Sequence, residues 1–471
     1  MAKTAIKTGT KFTVGELFAL LFGLFLGLAI VKFGNPVILD SKVDPPVSLS
    51  DYWNFAWPPH WANFCLLPLA IAGAILVFSK RARWPAGRWL WLLPLAWLGW
   101  QFLSATQTVD ASLTAATLWQ FSGCVACYFI GAFLFGNERV LRWLLAGILA
   151  AFTFCLVRAI DQRIFEFPLE RQALVEGQND GWTNLPPETF LEMKREQIII
   201  NTNGVDVANP VILQKFAKGR VNGTMVYPNA LAEMILLLFP VSLALAVHST
   251  RKLKPTIRLA VIALVIFLGC AAFFWTGSKL GWLIGMALVG VYLFRLNWSK
   301  KLKWTALVVL AVVGLGIFAV RFHNYFAAGA TSVGARFDYW RAAIETTGSH
   351  PGFGTGPGTF QRPYARLKAP DAEMARLTHN DFLEQFSDSG LVGGGIYAVW
   401  IILAIGWVGR SLWLRQDPVP FACFVGIAGW FLQGLGEFGL YIPGSAWVAF
   451  TLLGGTIGLI GNQFDKKPRS S

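Results

Sequence analysis

The sequence predicts an all-α, polytopic membrane protein of about twelve transmembrane helices, with two long outward loops that contain short amphipathic helices. Three observations predict it. Of 471 residues, 55% are hydrophobic and only 14% are charged, where a soluble protein carries about 25% charged residues. Apolar runs recur along the chain, each near the ~20 residues that cross a bilayer, and the mean hydropathy is +0.52. Many of the 21 Trp and 38 Phe sit at the ends of those runs, where aromatic belts form.

The predicted spans are Gly15–Phe33, Trp61–Ser79, Trp89–Ala105, Leu113–Phe135, Trp143–Ile160, Val226–Val247, Ile257–Thr276, Leu280–Phe294, Trp304–Val320, Leu391–Val408, Val419–Leu435 and Ser445–Ile460. Lys3, Lys7 and Lys11 precede the first run as in a signal peptide. That run is long and has no small-residue cleavage site, so it reads as an uncleaved span. The order predicts an N-terminal five-helix scaffold (1–160), a first long loop (161–225), central helices (226–320), a second long loop (321–390) and C-terminal helices (391–471).

The net charge of +14 suggests nucleic acid until its distribution is read. Short loops such as Lys80-Arg81-Ala82-Arg83, Arg251-Lys252-Leu253-Lys254 and Lys300-Lys301-Leu302-Lys303 share one side with both termini. Outside the spans, the acids on that side are Glu138, Asp417 and Asp465. The long segments are balanced: Arg158–Met225 has eight Lys/Arg and nine Asp/Glu, and Arg321–Gln385 has seven and six. Basic short loops mark the cytoplasm, so the long loops face outward. The charge expresses topology and attraction to anionic membrane lipids; no nucleic-acid partner is expected. All six cysteines fall inside predicted spans. Cys124 and Cys127 have metal-like spacing but stand alone there, and read as small membrane-core residues. No metal or cofactor is expected.

In the first long loop, a proline pair opens a predicted amphipathic helix, Glu188–Ile199. The loop closes on Arg220-Val221-Asn222-Gly223 and Tyr227-Pro228-Asn229 at the mouth of span six. Arg220 therefore sits at the outer boundary, where snorkelling also places cations. Asn229 and Glu233 share one face of that span. Lys279 lies in a short outer turn at the same depth. The second loop opens with a helical pattern in which Arg336 and Arg341 lie about 140° apart, so they do not serve one ligand atom. Four glycines between Gly352 and Gly358 read as a turn, or as backbone N–H groups presented to an anion.

The polar stretch Thr378–Ser389 runs directly into glycine-rich apolar sequence, which places His379 just outside the hydrocarbon. An imidazole there caps a helix or takes a proton near pH 7. Leu383, Phe386 and Gly390 follow helical spacing and are expected to pack on the protein, with Asp381, Glu384 and Asp388 pointing elsewhere. The run Gly393–Gly395 is expected to admit a neighbour closely, and Glu437 is a further acid at the outer level. Cations gathered at a lipid surface suit phosphate. A lipid-linked diphosphate presents its head there, fixed cations help it leave, and a histidine can deprotonate an attacking sugar hydroxyl.

His379-Asn380, nine residues and Gly390 match the H[NSQ]-x9-G pattern of the bacterial O-antigen ligase and polymerase superfamily, which this chain resembles. Arg220-x-x-Gly223 with Pro228-Asn229, Thr276-Gly277-Ser278-Lys279, and Arg336…Trp340 with Pro351-Gly352-Phe353-Gly354 agree with it. The resemblance covers roughly residues 215–400. It implies that His379 is the base or positions the acceptor, and that Arg220 and Arg336 bind the donor diphosphate. Lys279, Arg341, Tyr227, Asn229 and Asn380 complete the candidate substrate contacts. Where the family often has Ser-Arg, this chain has Ser278-Lys279, which keeps the charge and loses the bidentate fork.

The implied activity is inverting, metal-independent glycan transfer from an undecaprenyl-diphosphate carrier on the periplasmic side of a bacterial inner membrane. The acceptor is lipid A–core in a ligase, a second lipid-linked chain in a polymerase, or a protein hydroxyl in an O-oligosaccharyltransferase. The moderate first loop favours the ligase. A transporter or flippase would carry ionisable groups through the midplane and an internal repeat, and neither is evident; a structural scaffold would not need Arg220, Lys279 and His379 near one another.

Overall fold

The computed structural model describes residues 12–79, 87–413, 415 and 417–464. The basic segment 80–83, Lys3, Lys7, Lys11 and Asp465 lie outside the described residues. The protein is an all-α polytopic membrane protein. Among the described residues, nine helices are long and apolar enough to cross a bilayer. Each of the twelve predicted spans falls on a helix; those at the other three positions have 16, 17 and 16 residues.

In chain order the helices are α1 (Val14–Lys32), α2 (Leu49–Asn54), α3 (Pro59–Ser79), α4 (Trp89–Ser104), α5 (Ala111–Leu134), α6 (Glu138–Asp161), α7 (Phe167–Asn179) and α8 (Pro187–Arg195). After strands β1 (Ile199–Thr202) and β2 (Val205–Ala208) come α9 (Pro210–Lys218), α10 (Pro228–Ser249), α11 (Pro255–Thr276), α12 (Lys279–Arg295) and α13 (Lys300–Ala327). Then follow α14 (Thr331–Ser349), α15 (Gln361–Leu367), α16 (Asp381–Trp413), α17 (Pro418–Gln433) and α18 (Pro443–Phe464). The chain divides into two compact units, one of residues 1–152 with 323–471, the other of residues 153–322.

In the first unit, α1 starts at a capping box. Thr13 Oγ1 accepts from Glu16 N at 3.3 Å, and Glu16 Oε2 accepts from Thr13 N at 2.7 Å, so two orphan donors are satisfied at once. An 18-residue apolar window of α18 is wholly buried, and the helix packs on α5. A methyl group at Gly131, Gly454 or Gly458 would run into backbone of the facing helix, which is how small residues let membrane helices approach. Of the run Gly393–Gly395, Gly393 faces Trp100 of α4, while Gly395 meets no neighbour. Helix α16 is bent at its polar–apolar boundary, where Ser389 and Gly390 leave helical geometry and Gly390 takes φ 69°, ψ −174°. Only glycine adopts that conformation cheaply.

The second unit holds the first long loop. Its predicted helix ends at Arg195, four residues early. Gln197 turns with φ 58°, and the β-branched run Ile198–Ile200 enters β1 instead. Strands β1 and β2 pair antiparallel, Ile199 opposite Ala208 and Thr202 opposite Val205. Asn203 and Gly204 between them have φ 55° and 84°, the positive pair an Asn-Gly hairpin turn requires. Leu174, Trp182, Ile199 and Ala208 form a small separate core beneath the hairpin.

Candidate active site

In the first unit the polar stretch before the bend of α16 builds a site. The chain reverses sharply between Thr378 and Asn380. Thr378 N donates to Glu384 Oε2 at 2.5 Å, and Thr378 Oγ1 donates to Asn380 O at 2.8 Å. Asn380 Oδ1 caps the new helix, accepting from Phe382 N and Leu383 N, both at 3.0 Å. His379, caught inside this turn, is held at φ 52°, a left-handed conformation that costs a non-glycine residue about 1–3 kcal/mol.

Asp381 then fixes what His379 faces. Its backbone N donates to Gly434 O at 2.7 Å, and its carboxylate accepts from Leu440 N at 3.2 Å. The loop between α17 and α18 is thereby lashed to the start of α16. Glu437 lies in that loop, its side chain fully buried. His379 Nδ1 stands 3.4 Å from Glu437 Oε2. On the other carboxylate oxygen, Arg336 of α14 donates at 2.5 Å, its own side chain 19% exposed. One carboxylate therefore meets both the imidazole and a guanidinium. Phe438 packs edge-on to the imidazole at 4.8 Å between ring centres, and Tyr339 lies near-parallel at 6.0 Å. Burial pushes the Tyr339 hydroxyl above its ordinary value.

Behind the histidine lies a buried polar layer, and here the expected orientation of α16 is corrected. Asp381, Glu384 and Asp388 do not point away from the protein; they are 1%, 0% and 0% exposed. Each has a protein donor, which is what makes their burial tolerable. Asp388 Oδ2 accepts from Gly358 N at 2.6 Å and Tyr441 Oη at 3.0 Å. Burial, then the nearby carboxylates, push the Tyr441 phenol well above its ordinary value, so it stays a donor. Gln385 joins this layer to Trp97, Gln101 and Tyr441. The glycine segment is a turn and not an anion cradle, because the N–H groups of Gly354, Thr355, Gly356 and Gly358 all donate to protein oxygens.

Arg341 is not brought to this cluster. Its side chain is 62% exposed and lies 3.9 Å from Asp338, as the angle around α14 predicted.

The second unit gathers the remaining candidates. Arg220 donates through Nε to Thr276 O at 2.7 Å and through a terminal nitrogen to Asn229 Oδ1 at 2.8 Å. Val221 N donates to Trp275 O at 3.2 Å, so the end of the first long loop is stitched to the end of α11. Gly277 turns the chain with φ 58°, Ser278 caps α12, and Lys279 starts it with its ammonium 5.4 Å from the Phe322 ring centre. The backbone carbonyl of Tyr227 accepts at the start of α10. Sequence reasoning marked Glu437 only as an acid at the right depth. Its partners are 58 and 101 residues away, and no local pattern joins them.

Residues 262–398 match a family model described as O-Antigen ligase. The matched span includes Lys279, Arg336, Arg341, His379 and Asn380. A curated Haemophilus influenzae protein described as uncharacterized is 25% identical over 267 residues, which cover 50% of this chain and 65% of that relative. The chain thus spans a little under two thirds of the relative's length. Motifs, membrane helices and matched region agree, and the match over residues 262–398 supports the O-antigen ligase superfamily that the sequence resembles.

Proposed function

We propose that the protein is a membrane glycosyltransferase that moves a saccharide from an undecaprenyl-diphosphate carrier to a hydroxyl acceptor, most simply as a ligase with lipid A–core as acceptor. In this reading α4, α12 and α17 complete twelve crossings, both termini are cytoplasmic, and the long loops face the periplasm of a bacterial inner membrane. The observation that carries it is the Glu437 carboxylate shared by His379 and Arg336. With Nδ1–H donating to Glu437, Nε2 is the proton acceptor. The acceptor oxygen attacks the anomeric carbon from the face opposite the diphosphate. The bond from that carbon to the diphosphate oxygen breaks, the electron pair leaves with the diphosphate, and the hydroxyl proton passes to Nε2. The anomeric centre inverts. Arg336 stabilises the departing charge beside His379; Arg220, oriented by Asn229, and the point charge of Lys279 in the second unit remain the other proposed contacts for the diphosphate.

Purified protein with a radiolabelled lipid-linked donor tests this against lipid A–core, a second lipid-linked chain and a protein acceptor, each with and without chelator. Transfer that prefers lipid A–core and survives chelation is expected. Preference for either other acceptor reassigns the subclass to polymerase or protein transferase, and chelator sensitivity overturns the metal-independent step. His379→Ala should abolish transfer while donor binding remains. A variant that still transfers would remove the histidine from the mechanism, and a wild type that only moves donor across the bilayer would make the protein a flippase.

A further inference from the structure

Two cations of the second unit are marked by no motif, Arg163 and Arg321. The chain passes from α6 to α7 through a π-helical turn, Gln162–Glu166, a local widening often found at functional sites. Gln162 clamps the loop that follows Arg220: its Oε1 accepts from Asn222 N at 3.1 Å and Gly223 N at 2.8 Å, and its Nε2 donates to Gly223 O at 3.2 Å. Arg163, the next residue, lies against Gly219, where even a methyl group would strike its guanidinium. The turn therefore brackets Arg220, with an amide on one flank and a second guanidinium on the other.

Arg321 comes from the far end of α13. Its guanidinium carbon stands 3.9 Å from the centre of the Phe274 ring, and a terminal nitrogen donates to Phe274 O at 3.2 Å. A cation held over a ring and by one carbonyl is oriented with donors to spare. Arg321 and Lys279 also share the Phe322 ring, at 5.8 Å and 5.4 Å. The acids of the neighbouring turn are engaged elsewhere: Arg158 holds Asp161 at 2.5 Å and Glu166 at 2.7 Å. Among the described residues neither Arg163 nor Arg321 pairs with a carboxylate. Gathered like charges repel unless an anion neutralises them. On the face of α13 below Arg321, Ile317 and Val313 follow at four-residue intervals, 50% and 53% exposed. An apolar stripe topped by a cation matches an amphiphile with an anionic head.

We propose that Arg163 and Arg321 bind the second phosphate of a polyprenyl diphosphate whose first phosphate meets Arg220 and Lys279, the chain lying along Val313 and Ile317. The proposal rests on the reading that the substrate carrier is a lipid-linked diphosphate. Its signature is discrimination between one phosphate and two. Full-length protein in nanodiscs is titrated with undecaprenyl diphosphate and with undecaprenyl monophosphate. Arg163→Gln and Arg321→Gln should each weaken diphosphate binding about tenfold, the worth of one charge-assisted hydrogen bond, and change monophosphate binding less than about twofold. Arg321→Lys should recover part of the loss, which separates charge from folding. Unchanged diphosphate binding, or equal weakening for both lipids, overturns the assignment. So does displacement of the diphosphate by nanodisc phosphatidylglycerol at comparable concentration, which would make this a general headgroup site. The readout is binding, so a protein that binds as expected yet transfers no sugar sinks the enzymatic reading and leaves this one standing.

Discussion

Glu437→Gln keeps the shape of the side chain and removes its charge. In the protein this carboxylate is fully buried, 2.5 Å from Arg336 and 3.4 Å from His379. The amide introduced by the substitution can still accept from the guanidinium, so the stability loss should fall below the roughly 3–5 kcal/mol of a broken buried ion pair. Arg336 is 19% exposed and can recover some hydration. A loss of about 1–3 kcal/mol is expected, the cost of weakening one charged hydrogen bond in a buried site. Catalysis should suffer more. The neutral amide no longer fixes the imidazole tautomer nor balances the imidazolium formed in transfer, and a positioned acid–base pair is worth about 10²–10⁴ in rate. The assay is single-turnover transfer from a radiolabelled lipid-linked donor, with donor binding measured separately. The transfer rate should fall about a hundredfold or more, while donor affinity stays within about threefold of wild type. Transfer at the wild-type rate, or a pure loss of donor affinity, would refute the claim that Glu437 acts through His379.

Other outcomes follow from single contacts. Asn380→Ala removes the cap of α16 and should cost about 1 kcal/mol in thermal unfolding, whereas Asn380→Asp, which caps equally well, should not; equal loss in both would refute the capping role. Gly390→Ala forces a methyl group against the backbone of Pro351 and Gly352 at a φ of 69° and should lower stability by roughly 1–3 kcal/mol or abolish expression. Arg341→Ala should shift stability by no more than about 0.5 kcal/mol and the transfer rate by no more than about twofold, as exposed sites usually do; a tenfold drop would return Arg341 to the substrate contacts.

The spans were legible because lipid imposes one rule, about twenty apolar residues with every backbone group paired internally. The twelve expected segments fall on helices, and among the described residues nine helices are long and apolar enough to meet that rule. The candidate cations and the histidine were legible as residues, and their expected depth followed from where the predicted spans end. The partner that organises His379 was not, since Glu437 is joined to it by a loop that Asp381 holds from the other side. The burial of Asp381, Glu384 and Asp388 was also hidden: a helix pattern reads one apolar stripe and misses a polar face covered by Tyr441, Gln385 and the glycine turn. The hairpin was present as Asn203-Gly204 between alternating residues, a signal overridden by the helical pattern ahead of it.

The bend at Ser389 and Gly390 uncouples two mechanical loads. Leu391 N donates to Pro351 O at 2.9 Å, and Asp388 is gripped by Gly358 and Tyr441, so the first turns of α16 belong to the buried polar layer. The remaining helix answers to the bilayer, whose thickness varies by a few ångström among membranes and tilts its helices. A straight rod would carry that tilt to the imidazole. A rod jointed at glycine lets the lower shaft lean while the upper collar, with His379 attached, stays aligned to the Glu437 carboxylate.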